Sequence, residues 1–257
     1  MRTLSVNKGE RQEKVWDFVR RKGFASVEDL ASHLGVTAQT IRRDIQDLSA
    51  RGAVRKYHGG AGLASTVENV AYKTRKIQNI EAKRRIGLRT AALIPDGASV
   101  FVDTGTTCEA VAEALTRRRN LRVITNNLHV AGFLGDQTEF EVAVPGGVVR
   151  NADGAVLGEM AVEFLRQFRV DYAVIGISAV DEDGMLMEYD LREAHLRRVA
   201  LQQARTSLLA CDSTKFGRSA LVCVGALESV SILVTDALPE APLAARLHTG
   251  ATRVELA

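Results

Sequence analysis

Ser26-Val27-Glu28-Asp29-Leu30-Ala31-Ser32-His33-Leu34-Gly35-Val36-Thr37-Ala38-Gln39-Thr40-Ile41-Arg42-Arg43-Asp44-Ile45-Gln46-Asp47-Leu48 holds two helical patterns separated by one glycine. In the first, Val27, Leu30, Ala31 and Leu34 recur at helical spacing, and Ser26 with Asp29 has the form of a capping box. Gly35 supplies the turn, and Thr37 is placed to cap a second helix in which Ile41, Ile45 and Leu48 share a face. At about 100° per residue, Gln39, Arg43 and Gln46 point away from that stripe and Arg42 lies on its flank. A short helix, a tight turn and a second helix with Arg and Gln facing outward fit the geometry of a major-groove reader. Arg pairs with guanine O6/N7 and Gln with adenine N6/N7, while Thr37 and Thr40 sit where a helix N-terminus meets phosphate. An amphipathic helical hairpin with a solvated basic face shares this pattern.

The residues that follow separate the two readings. Ala53 to Tyr57 alternates as a strand, and His58-Gly59-Gly60 is a turn that returns a second strand through Leu63. A hairpin appended to a helix-turn-helix is a wing, on which Arg55, Lys56 and His58 would follow a phosphate backbone. Here a family resemblance begins. Val36-Thr37-Ala38-Gln39-Thr40-Ile41-Arg42-Arg43-Asp44, followed by His58-Gly59-Gly60-Ala61, resembles the signature of the DeoR family of bacterial transcriptional regulators. The resemblance implies a winged helix-turn-helix and double-stranded operator DNA as partner. The family more often has Ser at the position of Thr37 and Leu at that of Ile45; both exchanges keep the chemistry.

Charge is distributed in the same sense. Residues 1–60 hold 12 Lys and Arg against 7 Asp and Glu, a surplus of five, and the remainder of the 257-residue chain is two negative. The excess sits on the proposed reading module, as attraction to a polyanion requires. Ahead of that module, Glu10 to Arg21 reads as a bracing helix, with Val15, Phe18 and Val19 on one face, Trp16 at its edge and Gly23 as its stop. The composition is that of a soluble globular chain, with no apolar run long enough for a bilayer and no apolar core in Met1–Lys8 for a signal peptide. Cys108, Cys211 and Cys223 are odd in number and far apart, which argues against a zinc site or disulfide framework and for a reducing cytoplasm.

After Leu63 periodicity is lost, and a linker is expected over residues 65–79, between a DNA-binding domain at 1–64 and a larger domain at 80–257. Lys73, Arg75 and Lys76 in that linker read as solvated. From Ile80 onward helices alternate with apolar strands. Strands are expected at Ser99–Val102, Leu121–Ile124, Phe140–Val144, Tyr172–Ile177, Ser207–Ala210, Leu221–Val224 and Ser231–Thr235. Helices are expected at Ile86–Leu93, Cys108–Leu115, Leu128–Leu134, Met160–Phe168, Glu193–Ala204 and Ala241–Leu247. Such alternation implies an α/β domain with a mostly parallel sheet covered on both faces.

Ligands of such sheets bind at the carboxyl ends of the strands. There Asp103-Thr104-Gly105-Thr106-Thr107 joins a strand to a helix, with Gly105 allowing close approach and Thr106, Thr107 and the helix-start N–H groups as donors for an anion. Thr125-Asn126-Asn127 ends the next strand, Gly146-Gly147 follows the one after, and Asp212-Ser213-Thr214-Lys215 places a cation at another. Asp181, with Asp183 and Glu188, is a candidate for ligand hydroxyls; no histidine joins them, so nothing demands a metal or cofactor. These motifs, with Lys215-Phe216-Gly217, extend the DeoR resemblance over nearly the whole chain and imply a sensor domain related in fold to ribose-5-phosphate isomerase. Gln167-Phe168-Arg169, Glu188-Tyr189-Asp190 and Lys215-Phe216-Gly217-Arg218 look most like the branch that responds to glycerol 3-phosphate, and Cys108 departs from its usual pattern. The resemblance thus implies a repressor of a carbon-catabolic regulon, released by a small phosphorylated metabolite. An even homo-oligomer is expected because two half-sites provide the specificity one small module lacks. The rival from another class is a sugar-phosphate isomerase-like enzyme with a basic N-terminal module. For it, Asp103, Asp181 and Lys215 are candidate bases, with no Ser/His/Asp set or metal cluster beside them. A phosphate-binding adaptor without DNA is the third reading, and the outward Gln39 and Arg43 count against it.

Overall fold

The computed structural model describes residues 7–22, 24–57, 60–63, 72 and 75–257. They fall into two units, divided between Ala71 and Tyr72.

The smaller unit runs α1 (Lys8–Lys22), β1 (Phe24–Ser26), α2 (Val27–Leu34), α3 (Ala38–Ala50), β2 (Val54–Tyr57) and β3 (Gly60–Leu63). Ser26 Oγ accepts the Asp29 N–H at 3.0 Å, and Gly35, at φ 63°, closes α2 in the left-handed conformation that glycine adopts without cost. Thr37 caps α3 by accepting the Thr40 N–H at 3.2 Å. Val15 and Val19 of α1, Leu30 of α2, and Ile41, Ile45 and Leu48 of α3 converge with Val54 and Ala61 of the strands in one core. β2 and β3 form the antiparallel wing, and β1, absent from the sequence expectation, pairs with β3 on its other side. Three residues are too few to show an alternation, so β1 has no periodic signature. One acid inside α3 is also buried: Asp44 takes a two-pronged bond from Arg11 (2.5 and 3.2 Å) and one from Gln12 (3.2 Å). α1 therefore braces α3 through charge as well as packing.

The larger unit is built on seven strands: β4 (Ser99–Val102), β5 (Arg122–Thr125), β6 (Glu141–Ala143), β9 (Val170–Ile175), β12 (Ala204–Ala210), β14 (Ile232–Thr235) and β15 (Arg253–Leu256). Their spatial order is β15-β14-β12-β9-β4-β5-β6, with every pairing parallel. Alternate residues leave on opposite faces. Val100, Val102, Val123, Val174 and Leu208 join helices α4 (Ile80–Ala92), α5 (Thr106–Leu115) and α6 (Leu128–Gln137) in one core. Phe101, Ile124, Ala173, Ile175 and Leu209 join α7 (Glu159–Arg166), α8 (Leu191–Gln203) and α9 (Leu243–Thr249) in the other. α4 and α5 cross so closely that a Cβ on Gly87 would lie 2.4 Å from the Ala110 carbonyl oxygen, so only glycine fits there.

From β4 the chain runs outward to β5 and β6, then returns to the other side of β4 for β9, β12, β14 and β15. The strand order therefore reverses between β4 and β9, and the carboxyl ends at such a reversal are where open α/β sheets generally take ligands. Two small sheets complete the unit. The hairpin β7 (Val148–Arg150)/β8 (Ala155–Leu157) folds back over the end of β5, where Val156 N–H donates to the Asn126 carbonyl at 2.8 Å. β10 (Ala179–Val180), β11 (Met185–Glu188) and β13 (Val222–Ala226) form an antiparallel sheet, so the strand expected at Leu221–Val224 lies outside the main one. α4 begins six residues before the expected Ile86, and Tyr72 with 75–79, expected in a linker, groups with the larger unit.

Candidate functional site

The geometry expected of a groove-reading helix is present on α3. Gln39, Arg42, Arg43 and Gln46 are exposed, opposite buried Ile41, Ile45 and Leu48. Thr37 is exposed at the start of the helix, and its hydroxyl also bonds the Thr40 hydroxyl at 2.9 Å. Arg42 reaches Glu28 of α2 at 3.7 Å, leaving Arg43 as the arginine aimed away from the core without a charge partner among the described residues. Lys56 is exposed on the wing. The side chain of Arg55, and His58 altogether, lie outside the described residues.

In the larger unit the carboxyl ends of β12, β9, β4, β5 and β6 stand side by side. They carry Asp212–Lys215, Gly176–Ser178, Asp103–Thr107, Thr125–Asn127 and Gly146–Gly147 respectively. Gly105 has φ 115° and no side chain to cap α5, so the N–H groups that open the helix are left for another acceptor. Thr106 is half-buried beside them and Thr107 buried. Gly176 packs against this turn so tightly that a Cβ there would sit 3.2 Å from the Thr104 carbonyl oxygen and 3.3 Å from Cys108 Sγ. Cys108 is itself fully buried, and burial pushes its thiol well up, so it is an inert packing residue.

Not all the expected ligand residues have free groups. Asp103 is buried under Arg197, whose Nε donates to its Oδ2 at 2.6 Å. Thr125 Oγ1 donates to the Val102 carbonyl at 2.6 Å and accepts the Asn127 N–H at 3.1 Å, so its hydroxyl shapes the loop. The Asp181 carboxylate accepts the Met185 N–H at 2.8 Å through one oxygen and so helps to organise the β10–β11 hairpin. Asn126 keeps an open valence. Its Nδ2 donates to the Val156 carbonyl at 3.4 Å, while Oδ1 is buried with no partner among the described residues. Gly146 and Gly147 are exposed at the outer end of the row.

Lys215 is half-buried on the turn after β12. Burial, and then the neighbouring Arg75 charge, bring its ammonium down to about 8, with Asp212 acting in the opposite direction. A lysine held this way is a cation short of counter-charge, which suits an anionic ligand.

The sequence reading missed the buried ionic network behind these strand ends. Arg197 donates to Asp103, to Glu188 at 2.7 Å and to Glu193 at 3.0 Å, and Glu188 in turn accepts from the Ser178 N–H at 2.8 Å. Burial works against the Arg197 charge, yet Asp103, Glu188 and Glu193 outweigh it and hold the guanidinium well above its ordinary value. Arg150 of the hairpin ties the same Glu193 (2.6 Å) to Asp153 (2.6 Å) and Asp190 (3.5 Å). Only the Glu193/Arg197 spacing, one helical turn apart, was visible in the chain. No group of three or more potential metal ligands occurs among the described residues.

A helix-turn-helix with a wing, joined in one chain to a parallel α/β unit with small, amide-bearing and cationic residues at its strand ends, defines the class: a ligand-sensing, DNA-binding regulator. The profile of the DeoR-like helix-turn-helix domain matches residues 11–67, and that of the DeoR C-terminal sensor domain matches residues 78–237. The chain belongs to the DeoR family of transcriptional regulators. It is 40% identical over 230 residues to the glycerol-3-phosphate regulon repressor of Escherichia coli, covering 90% of this chain and 91% of that protein. To the HTH-type transcriptional repressor CsqR of the same organism it is 41% identical over 238 residues, covering 93% and 91%. These relatives are repressors, and the chain is a regulator rather than an enzyme. Among solved structures, ribose 5-phosphate isomerase A from Methanocaldococcus jannaschii superimposes with a TM-score of 0.41 at 16% identity, over 54% of this chain and 55% of that one. No helix among the described residues is long and apolar enough to cross a membrane.

Proposed function

We infer that the chain is a repressor whose α3 reads operator DNA and whose sensor unit binds glycerol 3-phosphate and releases that DNA. The observation that carries the effector half is that the uncapped α5 N-terminus after β4 and the under-compensated Lys215 after β12 stand at one sheet edge, two strand spacings apart with β9 between them. A phosphate dianion satisfies both, and a hydroxyl of the glycerol end has a waiting acceptor in Asn126 Oδ1. Strand spacing limits the ligand. At about 4.8 Å per strand, β12 and β6 are about 19 Å apart, too far for one three-carbon ester to bridge. Gly105, Thr106, Thr107, Asn126 and Lys215 therefore form the proposed contact set. Asp103 and Thr125 act behind it, and Gly146 and Gly147 lie at the rim. On DNA, Arg43, Gln39 and Gln46 face base edges, while Thr37, Thr40, Arg42 and the wing residues Arg55, Lys56 and His58 meet the backbone.

A second reading keeps the repressor and changes the phosphate ester, because the two E. coli relatives, only one of them named for glycerol 3-phosphate, are equally similar to the chain. A thermal-shift screen of the whole protein against small phosphate esters separates the two, since a ligand at a hundredfold excess over its Kd adds about 2.7 kcal/mol of apparent stability. Glycerol 3-phosphate raising Tm and releasing labelled operator DNA supports the first reading; another ester doing both in its place supports the second. The protein is further proposed to bind as a dimer or higher even oligomer, and sedimentation showing a monomer both free and on DNA would remove that element.

A further inference from the structure

The residues that lead into the sensor unit are clasped to the two carboxylates that flank the proposed anion site. Tyr72, the first residue of that unit, donates its hydroxyl to Glu109 at 2.7 Å and stacks its ring on His129 at 5.5 Å and 12°. Lys76 reaches the other oxygen of Glu109 at 3.4 Å. Glu109 is in the first turn of α5, the helix whose N-terminus forms the cradle. Three residues on, Asn79 Nδ2 donates to Asp212 Oδ1 at 3.1 Å, and the same oxygen caps the turn carrying Lys215 by accepting the Thr214 N–H at 3.2 Å. Between these anchors the buried Lys83 ammonium donates to the Arg75 and Gln78 carbonyls, the latter at 2.7 Å. These hydrogen bonds join both halves of the proposed anion site to Tyr72 and Arg75–Asn79, which among the described sensor-unit residues are nearest in the chain to the DNA-reading unit.

We propose that this clasp, Tyr72 on Glu109 and Asn79 on Asp212, is the element through which an anion bound at the Gly105–Thr107/Lys215 site changes DNA affinity. The physical reason is competition. A phosphate dianion brought to Lys215 and the α5 N–H groups places like charge beside Glu109 and Asp212 and takes up the cation that offsets Asp212. The two carboxylates hold the clasp only in the charge balance of the empty site, so ligand and clasp compete. The inference rests on the effector site proposed above; the clasp itself is independent of which ester binds.

The test uses the full chain and the double variant Tyr72→Phe/Asn79→Gly. Phenylalanine keeps the ring on His129 and loses only the hydroxyl, and glycine keeps the left-handed backbone of Asn79 (φ 52°) while removing its amide. Neither residue is in the proposed contact set or in the DNA-reading unit. Glycerol 3-phosphate affinity by calorimetry is expected to stay at or above that of wild type, and effector-free operator affinity by anisotropy to fall toward that of effector-saturated wild type. The ratio of operator affinities without and with ligand should fall from the about 5- to 150-fold typical of allosteric coupling toward one. Retention of the wild-type ratio overturns the proposal, as does loss of both affinities together, which marks the positions as structural only. A second arm is free of any ligand assignment: operator DNA alone is expected to change amide hydrogen exchange over Arg75–Lys83, and unchanged exchange overturns the clasp. If glycerol 3-phosphate fails to bind wild type, the effector assignment fails, and this second arm still decides the clasp.

Discussion

Replacing Lys215 by methionine keeps the length of the side chain and removes the charge that its surroundings fail to neutralise. A hydrogen bond to a charged group contributes about 1.5–3 kcal/mol, so glycerol 3-phosphate should bind the variant about 10- to 150-fold more weakly, with effector-free operator affinity unchanged. The lysine also sets a pH signature. Arg75 and Arg218 are its cationic neighbours, Asp212 and Glu188 its anionic ones, and burial with the cations holds the free-state pKa at about 8. A phosphate ester with its second ionisation near 6 is already a dianion there and draws the lysine pKa upward in the complex. Affinity should therefore be highest near about pH 7, where the ester is a dianion and the lysine is charged, and fall as pH rises through about 8 with a limiting slope near tenfold per unit. At pH 8.5 a lysine of pKa about 8 is roughly three-quarters neutral, so binding should take up roughly three-quarters of a proton, against about one-tenth at pH 7. Calorimetry in two buffers of different ionisation enthalpy reads that uptake directly. Equal affinities for Lys215→Met and wild type, or no proton uptake at pH 8.5, would refute the placement of the phosphate beside Lys215.

On the DNA side, Arg43→Ala should cost about 1–3 kcal/mol of specific binding and relax one base position per half-site, whereas Lys56→Ala weakens all sequences alike and lowers the salt slope by about one. Binding-site selection and salt titrations separate the two, and an unchanged base preference for Arg43→Ala removes it as a base reader. Arg197→Met leaves Asp103, Glu188 and Glu193 buried without their shared cation, and the loss should be about 3–5 kcal/mol by chemical denaturation near neutral pH. In that variant the folded-state carboxyl pKa values rise above the unfolded ones, so stability is present at low pH and lost as pH rises through them. The deficit should shrink between pH 7.5 and 5, and a constant deficit would show that Arg197 acts by packing alone. Gly87→Ala drives a Cβ against the Ala110 carbonyl, a clash with backbone that cannot rotate away, and should lower stability by about 1–3 kcal/mol without altering the DNA-reading unit. A melting temperature equal to wild type would contradict the close α4–α5 crossing.

Much of the architecture was legible along the chain because it follows from short-range periodicity. The stripe of Ile41, Ile45 and Leu48 defines the buried side of α3, so the outward aim of Arg43 and Gln46 needed no tertiary information. The apolar runs around Phe101, Val174 and Leu209 announced strands covered on both faces, and the loops at their carboxyl ends were readable for the same reason. Pieces only two to four residues long, such as β1, the β7–β8 hairpin and β10, escaped because their pairing comes from distant partners and not from their own pattern.

What the chain by itself determined was the inventory: a helix-turn-helix with wing, a parallel sheet, and small, amide-bearing or cationic residues at its ligand edge. Only the tertiary structure decided which of those residues are spent on one another. Asp103 and Asp212 look alike in sequence, as acids ending strands, yet one is occupied by Arg197, 94 positions away, and the other by Asn79, 133 positions away. The same holds for Thr125 and Asn126, adjacent in sequence, of which the first closes its own loop and the second keeps a buried oxygen open. Local pattern reports which face a side chain leaves from. Whether its charge or lone pair is already satisfied depends on groups brought near by the fold, and that long-range pairing has no period to read.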